Sequence, residues 1–195
     1  MNKDLTKWKF RVGGLFGGVR RFADEVSGVR FLYTVDYYGG KLTCWIDENQ
    51  FRQLEAVPAE SECRLFGYVV PRSADEIRLE PQSLELAAIN PNFQGVSDEE
   101  YLGGVLWTGS GHLISRRSWK LNDDSERNEV QFRATAGPVR FLDIPWEFYR
   151  KIQEGNFYTV GGICQQSFSY SRRSNGVNSI EAQTKLILTE LKAKK

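Results

Sequence analysis

The residues best suited to covalent or acid–base chemistry are few and scattered. The single histidine, His112, stands in Ser110-Gly111-His112-Leu113 with no cysteine near it in sequence. A nucleophile needs a base within reach and a third group to orient that base, and no such set can be read from the chain. Cys44, Cys63 and Cys164 are widely spaced and form no Cys-x-x-Cys pair. That excludes the usual zinc spacing and argues against a secreted disulfide framework. Reduced, mostly buried thiols in a cytoplasmic protein are the expectation. Gly13-Gly14 and Gly17-Gly18 are followed by no Gly-Lys-Ser/Thr and sit in a strand context, so they are not phosphate loops. Asp123-Asp124 reads as a solvated turn. Asp47 and Asp143 each fall between a strand pattern and a short helical segment, where a carboxylate can accept from free backbone N–H groups as an N-cap. No enzyme, metal or cofactor is expected.

Binding chemistry is better represented. Recognition of an unpaired nucleic-acid strand needs cations for the phosphates and flat rings on which bases stack. The two recur side by side in Arg20-Arg21-Phe22, in Arg116-Arg117-Ser118-Trp119-Lys120 and in Ser169-Tyr170-Ser171-Arg172-Arg173, with Pro71-Arg72-Ser73 as a thinner counterpart of the last. Period-two alternation places Phe31, Tyr33 and Val35 on one strand face and Arg30 on the other; Arg133 opposes Val130 and Phe132 in the same way. Trp45, alternating with Cys44 and Ile46, would stand on an outer face, or pack between two halves of the molecule. Arg140 takes the outer side of a matching strand, and Tyr37 and Tyr38 occupy a hairpin tip. The bland alternative for each cluster is ordinary solvated loop charge.

The elements that must position these residues repeat. Thr43–Asp47 followed by Gln50–Leu54 matches Arg140–Asp143 followed by Trp146–Ile152. Arg20 to Arg116 and Asp47 to Asp143 share a spacing of 96 positions. The glycine pairs Gly13-Gly14 and Gly103-Gly104 are 90 apart, which predicts a longer opening strand in the second copy. Each copy reads strand, strand, strand, short helix, strand, strand, with hairpin turns at Tyr38–Lys41 and Ala136–Pro138. The expected division is 1–89, a linker over 90–99 rich in Asn, Pro and Gly, and 100–195 with a basic tail.

That order is the order of the OB fold, a small, partly open five-stranded barrel. The chain therefore resembles, at the level of pattern, the single-stranded-DNA-binding proteins built from tandem OB folds. Another small barrel or one β-sandwich of about ten strands would also fit the strand spacing. The resemblance implies an all-β protein with short helices, made of two tandem OB-like five-stranded barrels. It implies non-enzymatic, salt-sensitive binding of single-stranded DNA or RNA through the loops and strands named above. Unlike the simplest bacterial version of that family, this sequence carries no long Gly/Pro-rich tail and no acidic apolar tip. Formal charge is +1, with 26 Lys+Arg against 25 Asp+Glu, so a polyanion would need a local patch. Near-neutral charge and aromatics amounting to 13% of the chain also suit a protein-interaction or scaffold module, with protein partners or self-association. No apolar run approaches the roughly 20 residues that span a bilayer, and Met1–Lys7 lacks the apolar segment of a signal peptide.

Overall fold

The computed structural model describes residues 7–24, 28–172 and 178–194. Ten strands and three short helices follow one another as β1 (Lys9–Asp24), β2 (Gly28–Tyr37), β3 (Gly40–Ile46), α1 (Glu48–Leu54), β4 (Glu62–Pro71), β5 (Ile77–Leu86), α2 (Asp98–Leu102), β6 (Val105–Lys120), β7 (Glu126–Ala134), β8 (Gly137–Leu142), α3 (Trp146–Lys151), β9 (Phe157–Arg172) and β10 (Asn178–Ala193). Strand, strand, strand, helix, strand, strand thus occurs twice, with α2 between.

Each half is organised by its long first strand, which serves two neighbours. The start of β1 pairs with β4 and its end with β2; β6 does the same with β9 and β7. Such a strand must curl, and glycine permits the close approach at the bend. A Cβ on Gly14 would lie 2.3 Å from the Asp36 carbonyl oxygen, and one on Gly111 would lie 2.5 Å from that of Arg133. A second matched pair sits beside a bulge. A Cβ on Gly67 would meet the Glu80 carbonyl at 2.3 Å, and one on Gly162 would crowd the Ile187 carbonyl more closely still.

The ladder registers define which residues correspond. Phe16 pairs with Val35 and Val35 with Leu42; Leu113 pairs with Phe132 and Phe132 with Val139. Across the first three strands the spacing is therefore 97 positions (16 to 113, 35 to 132, 42 to 139), not 96. The counterpart of Arg20 is Arg117, and that of Phe22 is Trp119. Both opening strands have 16 residues, so the second is not longer; Gly103 and Gly104 lie between α2 and β6 and do not match Gly13-Gly14. Asp47 caps α1 as expected, in a capping box with Gln50. Asp143 does not cap α3. Pro145 precedes that helix without a side-chain cap, and Asp143, at φ 53°, instead pairs with Arg127 at 3.4 Å.

The two halves share one sheet. Its order is β3-β2-β1-β4-β5-β10-β9-β6-β7-β8, with β1 also paired to β6. The strands β1, β4, β5, β10, β9 and β6 thereby close into a ring. At one junction Phe10 pairs with Trp107, at the other Ile77 pairs with Thr184. Phe10 and Trp107 are 97 apart and therefore equivalent. Following the ladders through β4 and β9 makes Ile77 and Thr184 equivalent as well. A residue pairing with its own counterpart is what an internal two-fold axis requires. Residues directly opposite in an antiparallel ladder point to the same side, so the two interiors merge. Trp8 stacks on Trp107 (5.2 Å between centroids, 11° between planes), and Phe141 stacks on Trp107 at 5.3 Å. Both indole N–H groups are satisfied, Trp8 donating to Ser110 O and Trp107 to Ile163 O.

The segment joining the halves is tied down. Arg64 grips Glu100 with two hydrogen bonds of 2.9 Å and the Gly95 carbonyl with one of 2.8 Å, while Gly13 leaves room for Val96 and Glu100 against β1. Those Arg64 hydrogen bonds hold the Glu100 carboxyl below its ordinary range.

Two outcomes follow. Denaturant unfolding should show one transition for both halves, and Trp107→Ala should lower its free energy by about 3–5 kcal/mol; two resolved transitions would mean separate cores. Because the folded pKa of Glu100 is depressed, its contribution is full above its unfolded value near 4.5 and is lost as the pH falls through the lowered value. The gap in thermal midpoint between the wild-type chain and Glu100→Gln should accordingly shrink on acidification from neutral pH.

Candidate nucleic-acid interface

On the sheet formed by β6, β7 and β8, Leu113, Phe132 and Val139 point inward and the alternate positions point out. The outward residues form cross-strand rows: His112 beside Arg133 and Pro138, Ser115 beside Gln131 and Arg140, Arg117 beside Glu129 and Leu142, and Trp119 beside Arg127. Arg117, Arg127 and Arg133 are exposed, Trp119 is 39% exposed, and Lys120, exposed and opposite Glu126, belongs to the alternate row. Among the described residues Arg117, Lys120 and Arg133 have no ion-pair partner, and Arg127 has the half-exposed pair with Asp143. This face carries Arg117 on β6, two residues before Trp119 near the strand end, and Arg127 and Arg133 on β7 with Glu129 and Gln131 between them.

The equivalent face of the first half is filled. Arg20 stands beside Leu32 and Trp45, but Leu32 and Thr34 are buried. The Arg30 guanidinium lies 3.8 Å above the centre of the Trp45 ring, so one stacking surface of that indole is occupied internally. Arg20 and Arg21 are both exposed and lie on opposite faces of β1, with no ion pair among the described residues.

Other expected residues are committed elsewhere. Arg116 follows an irregularity in the ladder that turns it beside Val130 on the inner side. Its guanidinium donates to the Ile152 carbonyl and lies 4.3 Å over Tyr149, while its backbone N–H donates to Glu154. It anchors α3 and the following turn. Arg140 pairs with Asp75 at 3.1 Å and Glu129 at 3.7 Å, and Arg72 pairs with Glu80 at 3.1 Å. Tyr37 ends β2 rather than sitting in the turn; its ring lies against Gly40 and Gly104, and burial raises its phenol pKa. Tyr38 is in the turn and 64% exposed. Tyr170 and Arg172 belong to the end of β9, opposite Ile180 and Asn178, not to a loop. Arg173 lies outside the described residues. Arg127 was missed by sequence reasoning, although its two-residue phase with Glu129, Gln131 and Arg133 places it on their face.

Groups with other chemistry are quiet. Burial pushes the thiols of Cys44, Cys63 and Cys164 up to about 12, so they stay protonated at neutral pH. His112 faces the Gly155 carbonyl at 3.3 Å and the edge of Phe157.

No protein-family model and no curated protein matches the chain. Solved structures do. The wild-type single-stranded DNA binding protein from Thermus aquaticus aligns over 98% of this chain and 94% of its own, at 8% identity and a TM-score of 0.50. A deletion mutant of the same protein aligns over 98% and 95%, at 9% identity and 0.51. A murine DNA binding protein bound with double-stranded DNA aligns at a TM-score of only 0.27. At these identities the likeness speaks for the fold: the chain is all-β, with short helices, and OB-like.

Arg116→Ala should cost about 1–3 kcal/mol of stability, the range for a hydrogen bond made by a charged group. Arg117→Ala should stay within about 0.5 kcal/mol. Chemical denaturation of the two variants separates an anchoring arginine from a surface one.

Proposed function

We propose that this protein binds single-stranded nucleic acid, DNA in the first instance, and performs no chemistry on it. The observation that carries this reading is the outer face of β6–β8, where Arg117, Arg127 and Arg133 share one open surface with Trp119. In OB folds the second and third strands and the flanking loops are the oligonucleotide or oligosaccharide platform. Cations tracking a backbone beside a ring for base stacking are the two requirements of sequence-tolerant strand binding. Fold likeness to a single-stranded DNA binding protein supports the same reading.

The strand would use the second half first. Arg117, Arg127 and Arg133 hold phosphates and Trp119 stacks a base, with Lys120 adding charge at the strand end. Arg20, Arg21 and Tyr38 extend the contact onto the first half, and Arg172 and Arg173 add further charge. Arg116, Arg140 and Arg72 support the scaffold through their internal partners. The matched registers further support a tandem duplication with units 1–89 and 100–195.

Fluorescence anisotropy with a labelled oligo-dT tests the proposal. Affinity should fall steeply with salt, with a log–log slope of about −0.7 per phosphate contacted. Trp119→Ala should cost about 1–3 kcal/mol of binding, with a smaller loss from Trp45→Ala. A flat salt response would remove this reading and favour a protein-interaction module.

A further inference from the structure

The hairpin joining β4 and β5 reaches out of the first half to the basic face of the second. Its tip is a tight turn. The Arg72 N–H donates to the Glu76 carbonyl at 2.8 Å, and the Ser73 hydroxyl accepts from the Asp75 and Glu76 N–H groups at 3.3 and 3.1 Å. That turn lies along the outer edge of β8. The Arg140 N–H donates to the Ala74 carbonyl at 3.1 Å, and an Asp75 carboxylate oxygen stands 3.1 Å from the Arg140 guanidinium. Arg140 belongs to the middle row of the face, beside Gln131, with Arg133 in the row on one side and Arg117 in the row on the other. A carboxylate of the first half thus stands among cations of the second. The fold does not demand that charge. Thr43, the counterpart of Arg140, has its edge N–H covered by the neutral Gln166 side chain.

We propose that Asp75 is an internal stand-in for a strand phosphate: it holds Arg140 in the free protein and is displaced when Arg140 takes a phosphate of the bound strand. The inference rests on the strand-binding reading and adds an autoinhibitory contact between the halves to it. Arg140 has two acidic partners of different kinds. Glu129, 13% exposed and 3.7 Å from Nε, is the lasting one; Asp75, 67% exposed, is the one a competing anion can reach. A guanidinium meets a carboxylate and a phosphate through the same fork of N–H donors, so the two compete for one place. An exposed ion pair is weak enough to be exchanged. A strand brings its phosphate to Arg140 together with further contacts at Arg117 and Arg133, which Asp75 cannot supply. While Asp75 is in place, its negative charge also opposes a phosphate approaching those cations.

The experiment titrates labelled oligo-dT by anisotropy against the wild-type chain, Asp75→Asn, Glu76→Gln, Arg140→Gln and the double variant Asp75→Asn with Arg140→Gln. Asp75→Asn, at an exposed position where folding is not at risk, should bind about threefold more tightly than wild type, the equivalent of one exposed ion pair. Glu76→Gln removes an equal charge from the same turn, but Glu76 forms no ion pair with Arg140 among the described residues, and its affinity should stay near that of wild type. The gain from Asp75→Asn should vanish in the Arg140→Gln background. Arg140→Gln alone should make the log–log salt slope shallower by about 0.7, the loss of one phosphate contact. An equal gain from Glu76→Gln, or a gain from Asp75→Asn that survives Arg140→Gln, would reduce Asp75 to a source of general repulsion and overturn the proposal while salt-sensitive binding stands. An unchanged salt slope in Arg140→Gln overturns it too. If Arg140→Gln does not fold, the comparison of Asp75→Asn with Glu76→Gln decides alone. If no oligomer binds, the strand-binding reading falls and this inference with it.

Discussion

The edge-to-edge pairing of two equivalent strands, Phe10 against Trp107, is the contact on which the rest of the molecule depends. Antiparallel self-pairing sets Phe10 opposite its counterpart Trp107, with Lys9 and Arg11 each facing the other's counterpart, and turns both interiors to one side. Trp8 can then cross from the first half to stack on Trp107, itself stacked on Phe141. A single core results where two small ones could have formed. Small domains bury a lower fraction of their surface, so the shared core gives each half stability it would lack alone.

The same two-fold relation protects the sheet edges. The Thr43 N–H on β3 donates to Gln166 of the second half, and the Arg140 N–H on β8 donates to the Ala74 carbonyl of the first. Thr43 and Arg140 are 97 positions apart, so the two halves perform the same service for each other. Unpaired donors on an edge strand invite pairing with other chains, and here each half covers one such donor of its twin.

Equivalent positions diverge where the core does not constrain them. Inward pairs at the centre of the sheet stay apolar: Phe16 and Leu113, Val35 and Phe132, Leu42 and Val139. Outward pairs differ: Leu32 against Glu129, Trp45 against Leu142. The change from Phe31 to Asn128 and from Ile46 to Asp143 opens a polar pocket in the second half where the first is filled by rings. One backbone design thereby carries a closed face and an open one.

The sequence by itself determined the strand-rich class, the repeated order of elements, the inward alternation of Tyr33, Val35 and Phe132, and the outward placing of Arg133. These follow from period-two patterning and turn chemistry, which act locally. It did not determine the spacing of 97, because the Arg-Arg and Asp landmarks align at 96 and only the ladder registers make Phe16 the equivalent of Leu113 and Arg20 that of Arg117. The irregularity between Leu113 and Ser115, without a signal in composition, turned Arg116 inward. Nor did it determine that Arg140 meets Asp75, that Arg30 covers Trp45, or that the halves close into one ring. Those contacts join residues far apart in the chain, and only the folded registers decide which of them touch.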